Sequence, residues 1–408
     1  MAKPLELYIH IPFCMKKCAY CDFLSFPAEE ALQWRYTAAL LKEIRHFGEK
    51  MKEYEVTTIF IGGGTPTWLD LEWMMRLLDV IGENFFIRRD AEVTIECNPG
   101  TVTKDKLTAY RQSGINRLSI GLQSTDNGEL KLLGRVHTYE QFLKTYEMAR
   151  TVGFRNINVD LMSGIPYQDL EKFAKSLLRV IRLKPEHISV YSLMIEKGTP
   201  FYSKYKYDLV MQEAGMQTKA LPSEDEVYRI LKATQQILKN HGYEQYEVSN
   251  FARPGKECKH NLGYWERKEY LGMGLGASSL INNVRFSNLT DVHSYINEAE
   301  NIKEKKFAES EGDKEQITVG INLHETAHTL SRKEQMEEYM YLGLRKIEGI
   351  SRQDFQEAFR TPINAVYTEA MEKLRNEGLM ELKAGMVRLT DRGQDLSNYA
   401  LAHFLFDE

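Results

Sequence analysis

Three cysteines fall within eight residues, Cys14-Met-Lys-Lys-Cys18-Ala-Tyr-Cys21, a C-x3-C-x2-C arrangement. Three thiolates on one short loop can each take one iron of an iron–sulfur cube and leave the fourth iron open to an outside ligand. A structural zinc site ordinarily asks for four protein ligands and favours C-x2-C pairs. His10 is the neighbour able to complete one, but it falls within a strand-like run. Cys97 and Cys258 bring the cysteine total to five, an odd number that argues against a disulfide framework. Cys97 reads as a buried strand residue.

Polar or glycine-rich features recur at the ends of successive apolar runs. The first run ends at the cysteine loop, the second at Gly62-Gly63-Gly64-Thr65-Pro66, the third at Glu96-Cys97-Asn98-Pro99 and the fourth at Gly121-Leu122-Gln123-Ser124. The fifth carries Asp160 inside Val159-Asp160-Leu161-Met162. Bare glycine backbone lets a ligand approach closely, and a carboxylate within an apolar run is costly unless paired or meeting a polar ligand. Each feature alone could be a turn, a cap or a core acid. Their convergence on one rim favours a ligand site, because strand–helix barrels carry their sites at the C-terminal ends of the strands.

The elements that must position these residues are six apolar, β-branched runs: Leu5–Ile11, Val56–Ile61, Ala91–Glu96, Arg117–Gly121, Asn156–Leu161 and His187–Leu193. Amphipathic stretches lie between most of them, namely Ala31–Phe47, Leu71–Val80, Lys104–Gln112, Tyr139–Thr151 and Leu170–Ile181. Near-continuous apolarity predicts parallel strands covered on both faces. Six units in this length predict an α/β chain with a partial (β/α)6 TIM-like barrel over residues 1–200. Residues 201–330 read as an α+β extension closing the barrel, with a helix at Glu224–Lys239, a strand at Tyr243–Val248 and a Gly-rich segment at Leu271–Ser279. Residues 331–408 read as a small winged-helix-like domain: Ser331-Arg-Lys-Glu334 is a capping box opening a helix at Gln335–Lys346. Helices at Arg352–Phe359 and Ile363–Asn376 follow, then a hairpin of Met380–Lys383 with Val387–Leu389, then a helix at Gly393–Phe404.

The composition fits a soluble chain. Of 408 residues, 43% are hydrophobic and 27% charged; 53 basic against 58 acidic side chains leave a net charge of −5, so no nucleic-acid partner is expected. No apolar run reaches the roughly 18 residues of a membrane span, and no signal-peptide core opens the chain, so the expected location is cytoplasmic.

C-x3-C-x2-C with an aromatic residue before the third cysteine, followed by Gly-Gly-Gly-Thr-Pro, resembles the radical S-adenosylmethionine (SAM) superfamily. Tyr8-Ile-His-Ile-Pro-Phe-Cys14, Gly62–Thr67, Asn116–Gln123 and Asn158–Pro166 resemble its oxygen-independent coproporphyrinogen III oxidase branch, which includes the heme chaperones of the HemW family. The resemblance spans nearly the whole chain. It implies a [4Fe–4S] cluster on Cys14, Cys18 and Cys21, with SAM chelating the open iron and yielding a 5′-deoxyadenosyl radical when an electron donor such as flavodoxin or ferredoxin supplies the cluster. It also implies SAM contacts by Tyr8 and Glu96, packing near the cofactor by Tyr20 and backbone contacts from Gly63, Gly64 and Thr65. Gln123, Arg135 and Asp160 match residues that surround a second SAM in family members.

Three departures separate the chain from the oxidases. Phe23 stands where they carry a fourth cysteine, seven residues precede Tyr8 where they have a longer segment, and Cys258-Lys-His260-Asn261-Leu-Gly-Tyr264-Trp265 replaces their Arg-Asn-Phe-type motif. That last segment is similar to the heme chaperones. His260 offers an imidazole and Tyr264 with Trp265 a flat apolar surface for heme, Cys258 being an alternative thiolate; the other reading of the segment is a structural turn. The expected function is therefore a heme chaperone delivering heme to acceptor proteins. The alternatives are oxidative decarboxylation of coproporphyrinogen III and another radical SAM reaction on a tetrapyrrole. His324-Glu325-Thr-Ala-His328 matches a zinc-peptidase motif but precedes the helix such a motif must occupy. Gly272-Met-Gly274-Leu-Gly276 lacks the context of a dinucleotide fingerprint.

Overall fold

The computed structural model describes residues 2–302 and 322–406; residues 303–321 of the expected extension lie outside the described residues. Strand and helix alternate through β1 (Lys3–Ile11), α1 (Glu30–Lys50), β2 (Tyr54–Gly63), α2 (Leu71–Asn84), β3 (Ile87–Cys97), α3 (Lys104–Gln112) and β4 (Arg117–Gln123). They continue through α4 (Asn127–Leu133), α5 (Tyr139–Thr151), β5 (Ile157–Ser163), α6 (Leu170–Arg182) and β6 (His187–Ser192). Each of the six strands pairs in parallel with the next in sequence. Side chains before the helices set their starts: Asp70 caps α2, Thr103 α3 and Asp169 α6, and Thr138 with Gln141 forms a capping box on α5.

The strands expected to be covered on both faces are apolar mainly on the face towards the helices. Leu5, Leu7, Ile9 and Ile11 of β1 are buried in the same core as Leu40 and Ile44 of α1, and Leu118, Ile120 and Leu122 of β4 join it. Strand periodicity turns the alternate residues the other way: Glu6, Tyr8 and His10 on β1, Arg117, Ser119 and Gly121 on β4, Asn158 and Asp160 on β5. The inner face of the sheet is thus polar.

After β6 come α7 (Pro200–Glu213), α8 (Glu224–Asn240), β7 (Glu244–Gln245), β8 (Asn250–Ala252), α9 (Lys259–Trp265), β9 (Tyr270–Met273), β10 (Ser278–Ile281), β11 (Val284–Asn288), α10 (Val292–Glu300) and β12 (His324–Thr329). These strands extend the parallel sheet at both edges, β8 and β7 beyond β6 and β9 to β12 beyond β1, giving twelve strands among the described residues. The strand expected at Tyr243–Val248 is only β7. The chain turns back at once, with Tyr246 N–H donating to Asn250 O and buried Glu247 accepting from Ser249 N–H. Between β8 and β9, α9 carries His260 to the inner face, against Thr58 of β2 and Glu92 of β3.

The last part comprises α11 (Arg332–Gly343), β13 (Ile350–Ser351), α12 (Arg352–Phe359), α13 (Asn364–Asn376), β14 (Met380–Lys383), β15 (Met386–Leu389), α14 (Asp391–Asp395) and α15 (Ser397–Ala402). It has its own core, including Met340, Phe355, Leu374 and Phe404, and its own three-stranded sheet. The Ser331–Glu334 capping box forms, so the helix begins at Arg332 rather than Gln335. The single helix expected at Gly393–Phe404 is two, because Leu396 leaves helical geometry between α14 and α15. Glu338 of α11 ties this part to the sheet, accepting from Arg267 Nε and Arg285 Nε, both at 2.9 Å. Among the described residues, no helix is long and apolar enough to cross a membrane.

Candidate functional site

β1 delivers the cysteine loop to the open end of the sheet. Backbone bonds hold its stem: Cys14 N–H donates to Phe26 O at 3.2 Å and Phe26 N–H to Pro12 O at 2.9 Å. The loop is also tied to the end of α4, with Ala19 N–H on Leu133 O at 3.0 Å. α4 escaped the sequence reading because its seven residues are too few for a periodic signal; the cap Asp126 and the left-handed Gly134 mark its ends.

The glycine segment after β2 is zipped to that stem. Gly64 N–H donates to Ile11 O at 2.8 Å and Thr65 N–H to Phe13 O at 2.7 Å. A Cβ on Gly64 would stand 2.7 Å from Phe13 O, so glycine is needed for the approach. Gly63 has φ +119° and donates its N–H to Glu96 Oε2 at 3.0 Å. Asn98 bridges two further elements, donating to Thr65 Oγ1 at 2.6 Å and accepting from Arg135 Nη2 at 2.5 Å. Arg135 also donates to Gly121 O at 2.7 Å and reaches Cys18 Sγ at 3.8 Å.

These groups enclose a cavity of about 570 Å³. Of the residues singled out in the sequence, Cys14, Cys18, Cys21, Tyr20, Gly63, Gly64, Thr65, Glu96, Gln123, Arg135 and Asp160 all line it. Gln123 adopts φ +72°, beside a register shift in the β4–β5 pairing. Tyr20 packs on Phe201, ring centroids 6.5 Å apart. Phe23 sits at the mouth, 70% exposed.

The electrostatics of this cavity favour a cationic visitor at one place. Burial, reinforced by neighbouring Asp160, pushes Glu96 up to about 8, and burial raises Asp160 as well. An ammonium group beside them would restore the charged carboxylates. Burial, then the charge of Cys18 and of Cys21, raises the Cys14 thiol, so the three sulfurs feel one another. Among the described residues no three His, Cys, Asp or Glu side chains close around a single metal ion. Three thiols spread around one cavity suit a polynuclear cluster contacted at separate irons.

Two sequence expectations are corrected. Tyr8 turns away from the cysteine cavity, donating its hydroxyl to His10 Nδ1 at 3.0 Å, and lines a second cavity of about 450 Å³. His260 is 1% exposed and presents no free ring nitrogen to heme. Nδ1 pairs with Thr58 Oγ1 at 2.7 Å and Nε2 with Tyr264 Oη at 3.0 Å, while the ring stacks on Phe60. Burial pulls its pKa down to about 3, so the imidazole is neutral. Cys258 is buried too, its thiol on Glu92 Oε1 at 3.5 Å and its pKa pushed up to about 12 by burial. Tyr264 and Trp265 do open onto the second cavity, beside Arg267 and Arg285.

The His324–His328 pair lies on strand β12, about 13 Å apart along the strand at four residues' rise, and each ring has its own partner, Asn288 or Glu334. Asn98, named with the rim at the end of the third run, lines the first cavity, and so do Ser119, Asn158 and Arg117, which the sequence did not single out. The signal was present, as polar residues at every second position of apolar runs.

Comparison with known proteins agrees with this geometry. Residues 8–180 match the radical SAM superfamily and residues 330–396 the HemN C-terminal domain. The chain is 34% identical to the heme chaperone HemW of Lactococcus lactis over 100% of its own length and 99% of that protein. It is 36% identical to that of Bacillus subtilis over 98% of each, and 41% identical to that of Escherichia coli over 67% of this chain and 69% of that one. The fold is similar to coproporphyrinogen III oxidase (HemN) from Escherichia coli, with TM-score 0.81 and 26% identity, covering 99% of this chain and 90% of that one. Sequence kinship over the full length, with the cysteine loop and glycine segment in one cavity, leads to one conclusion: the chain belongs to the radical SAM superfamily and, within it, to the heme chaperone HemW family.

Proposed function

We propose that this protein is a heme chaperone that holds a [4Fe–4S] cluster, SAM and heme and passes heme to acceptor proteins in the cytoplasm. The observation that carries the reading is the gathering of Cys14, Cys18 and Cys21 with bare glycine backbone and buried carboxylates in one cavity. The three thiols would hold the cluster, which, when bound and reduced by a flavodoxin- or ferredoxin-type donor, supplies an electron to a sulfonium. Glu96 would take the ammonium of SAM, and Gly63, Gly64 and Thr65 would lie along it. Gln123, Arg135 and Asp160 would bound the space beyond, with Tyr20 as a wall. Heme would lie on the Tyr264–Trp265 face, in the second cavity, where His10 and Tyr8 also point. His260 would support that face from behind. We take residues 1–200, 201–330 and 331–408 as the working units of barrel, closing extension and C-terminal domain.

The competing reading is an oxidase of coproporphyrinogen III, favoured by the likeness to HemN along the whole chain. Anaerobic incubation of reconstituted protein with reductant, SAM and coproporphyrinogen III separates the two. The chaperone reading expects an intact cluster, no protoporphyrinogen, and stoichiometric uptake of heme. Catalytic protoporphyrinogen would overturn it.

A further inference from the structure

α6 turns Phe173, Leu177, Val180 and Ile181 to the core and carries Lys172, Lys175, Arg179 and Arg182 on its outer side. Steps of three, four and three residues keep the four cations within about 80° of one another around the helix. They form a row about 15 Å long with steps of about 4.5 to 6 Å. The row is one wall of a groove of about 660 Å³, and the starts of α4 and α5, with Asp126 and Glu140, are the other. The groove shares no lining residue with either cavity described above.

The chain has a net charge of −5, and other exposed cations find acids: Arg76 pairs with Glu72, Arg88 with Asp90 and Arg388 with Glu381. None of the four on α6 has a described carboxylate oxygen within 4.0 Å. The two acids of the groove are engaged at their own helix starts. Asp126 accepts from the Gly128 and Glu129 N–H groups, and Glu140 from Asn127 Nδ2 at 3.1 Å. Two of the cations are held by neutral groups, which fix a charge without cancelling it. Lys172 Nζ donates to Tyr167 O at 2.6 Å, and Arg179 Nη1 donates to Thr125 O at 3.2 Å with its guanidinium over the Tyr139 ring. The fold gains little from the row. Arg179 and Arg182 complement the C-terminal end of the helix dipole, but Lys172 stands in the first turn, where that dipole disfavours a cation.

We propose that this groove docks an acidic helix of a partner protein, whose carboxylates three and four residues apart fall opposite the four cations. A helix repeats side chains along one face at about 4.5 to 6 Å of rise, as the row does. A nucleic-acid strand sets a phosphate about every 3.4 Å, denser than the row, and brings no cation to meet Asp126 and Glu140. A protein helix answers both signs. The inference stands apart from the cluster and heme readings, which concern the two cavities.

Fluorescence anisotropy at low ionic strength, with the full-length protein and synthetic helical peptides, tests this. The probe is an Ala- and Gln-based helix with four glutamates spaced three, four and three residues apart. One control replaces the glutamates by Gln; the other spreads four glutamates around the helix. The matched peptide binds at least about tenfold tighter than either control, as four weak exposed pairs together allow, and weakens as salt rises. Lys175→Glu combined with Arg182→Glu abolishes the preference, and Lys175→Gln alone loses about two- to threefold. Circular dichroism checks the folding of each variant. Should the double reversal not fold, Lys175→Gln with Arg182→Gln still loses at least about threefold. Equal binding of the two glutamate isomers, or a preference unchanged in the folded variants, overturns the docking groove and leaves the row a solvated helix face. Tighter binding of oligo-dT than of the matched peptide, abolished by the same substitutions, overturns the acidic helix in favour of nucleic acid.

Discussion

The two halves of the polar inner face are finished in opposite ways. Towards the C-terminal ends of the strands, Glu96, Asp160, Gln123 and Arg135 border open space together with three thiols. Towards the N-terminal ends, α9 fills the interior, and Cys258, His260, Glu92 and Thr58 bond to one another. Both halves carry cysteine, acid and base. What separates a ligand-binding group from a core group here is whether it borders open space or is packed under α9, not its residue type.

The largest test of that contrast is loss of a thiol from each half. Cys18→Ala is expected to abolish the cluster, taking four irons per chain and the broad visible absorbance with them, while thermal stability changes little because Cys18 is only half-buried. Cys258→Ala should keep the iron and lose about 1–2 kcal/mol of stability for a buried side chain shortened by one atom. Full iron retention in Cys18→Ala would remove the distinction. Next in size is Gly64→Ala, whose Cβ would press on Phe13 O and Pro12 O. It should cost about 1–3 kcal/mol and weaken SAM binding tenfold or more by displacing the cysteine stem; unchanged SAM affinity by equilibrium dialysis would show that the zipper does not position the site.

Much of the upper half was legible because it is built from local signals. The strands stood out as apolar runs, and the groups at their ends are adjacent to them in sequence. The lower half needs contacts between residues 6, 58, 92, 117 and 260, which no window of sequence contains. So Tyr8 was read by motif while its side chain turns to a second cavity. The sequence leaves His260 open between a heme imidazole and part of a structural turn, while Thr58 and Tyr264, 202 and 4 residues away, occupy both nitrogens. Arg117 lies within Asn116–Gln123, and only the fold reveals that its donors are idle. Glu338 joining Arg267 and Arg285 was invisible for the same reason.

His260 offers a sharper break. If it is a core group, His260→Phe strands Thr58 Oγ1 and the Tyr264 hydroxyl and should cost about 2–4 kcal/mol in urea unfolding. Heme affinity of the folded fraction should then fall less than about threefold. A folded, equally stable variant that has lost heme would instead mean that the ring leaves its two partners to become a ligand.

The smallest effect concerns the pH dependence of the plugged half. Burial, opposed by Lys268 and reinforced by Glu92, raises Glu6 to about 9, so the folded protein keeps it protonated at neutral pH. Its Oε2 has no hydrogen-bond partner, and His260 Nδ1 stands 3.8 Å away. With the folded pKa above the unfolded one, the stability linked to this proton is complete below about pH 4.5 and is lost progressively as pH rises towards about 9. His260 acts oppositely. Its pKa is lowered to about 3, so its contribution is complete above the unfolded value near 6.5 and is lost as pH falls towards 3. Glu6→Gln keeps the shape and removes the titration. It should be close to neutral at pH 5 and stabilising by about 1–2 kcal/mol at pH 8, below the limiting slope of about 1.4 kcal/mol per pH unit. His260→Phe should flatten the acid limb and leave the alkaline one. Parallel stability curves for wild type and Glu6→Gln between pH 5 and 8 would place Glu6 among the solvated carboxylates, and the lower half would no longer count as sealed.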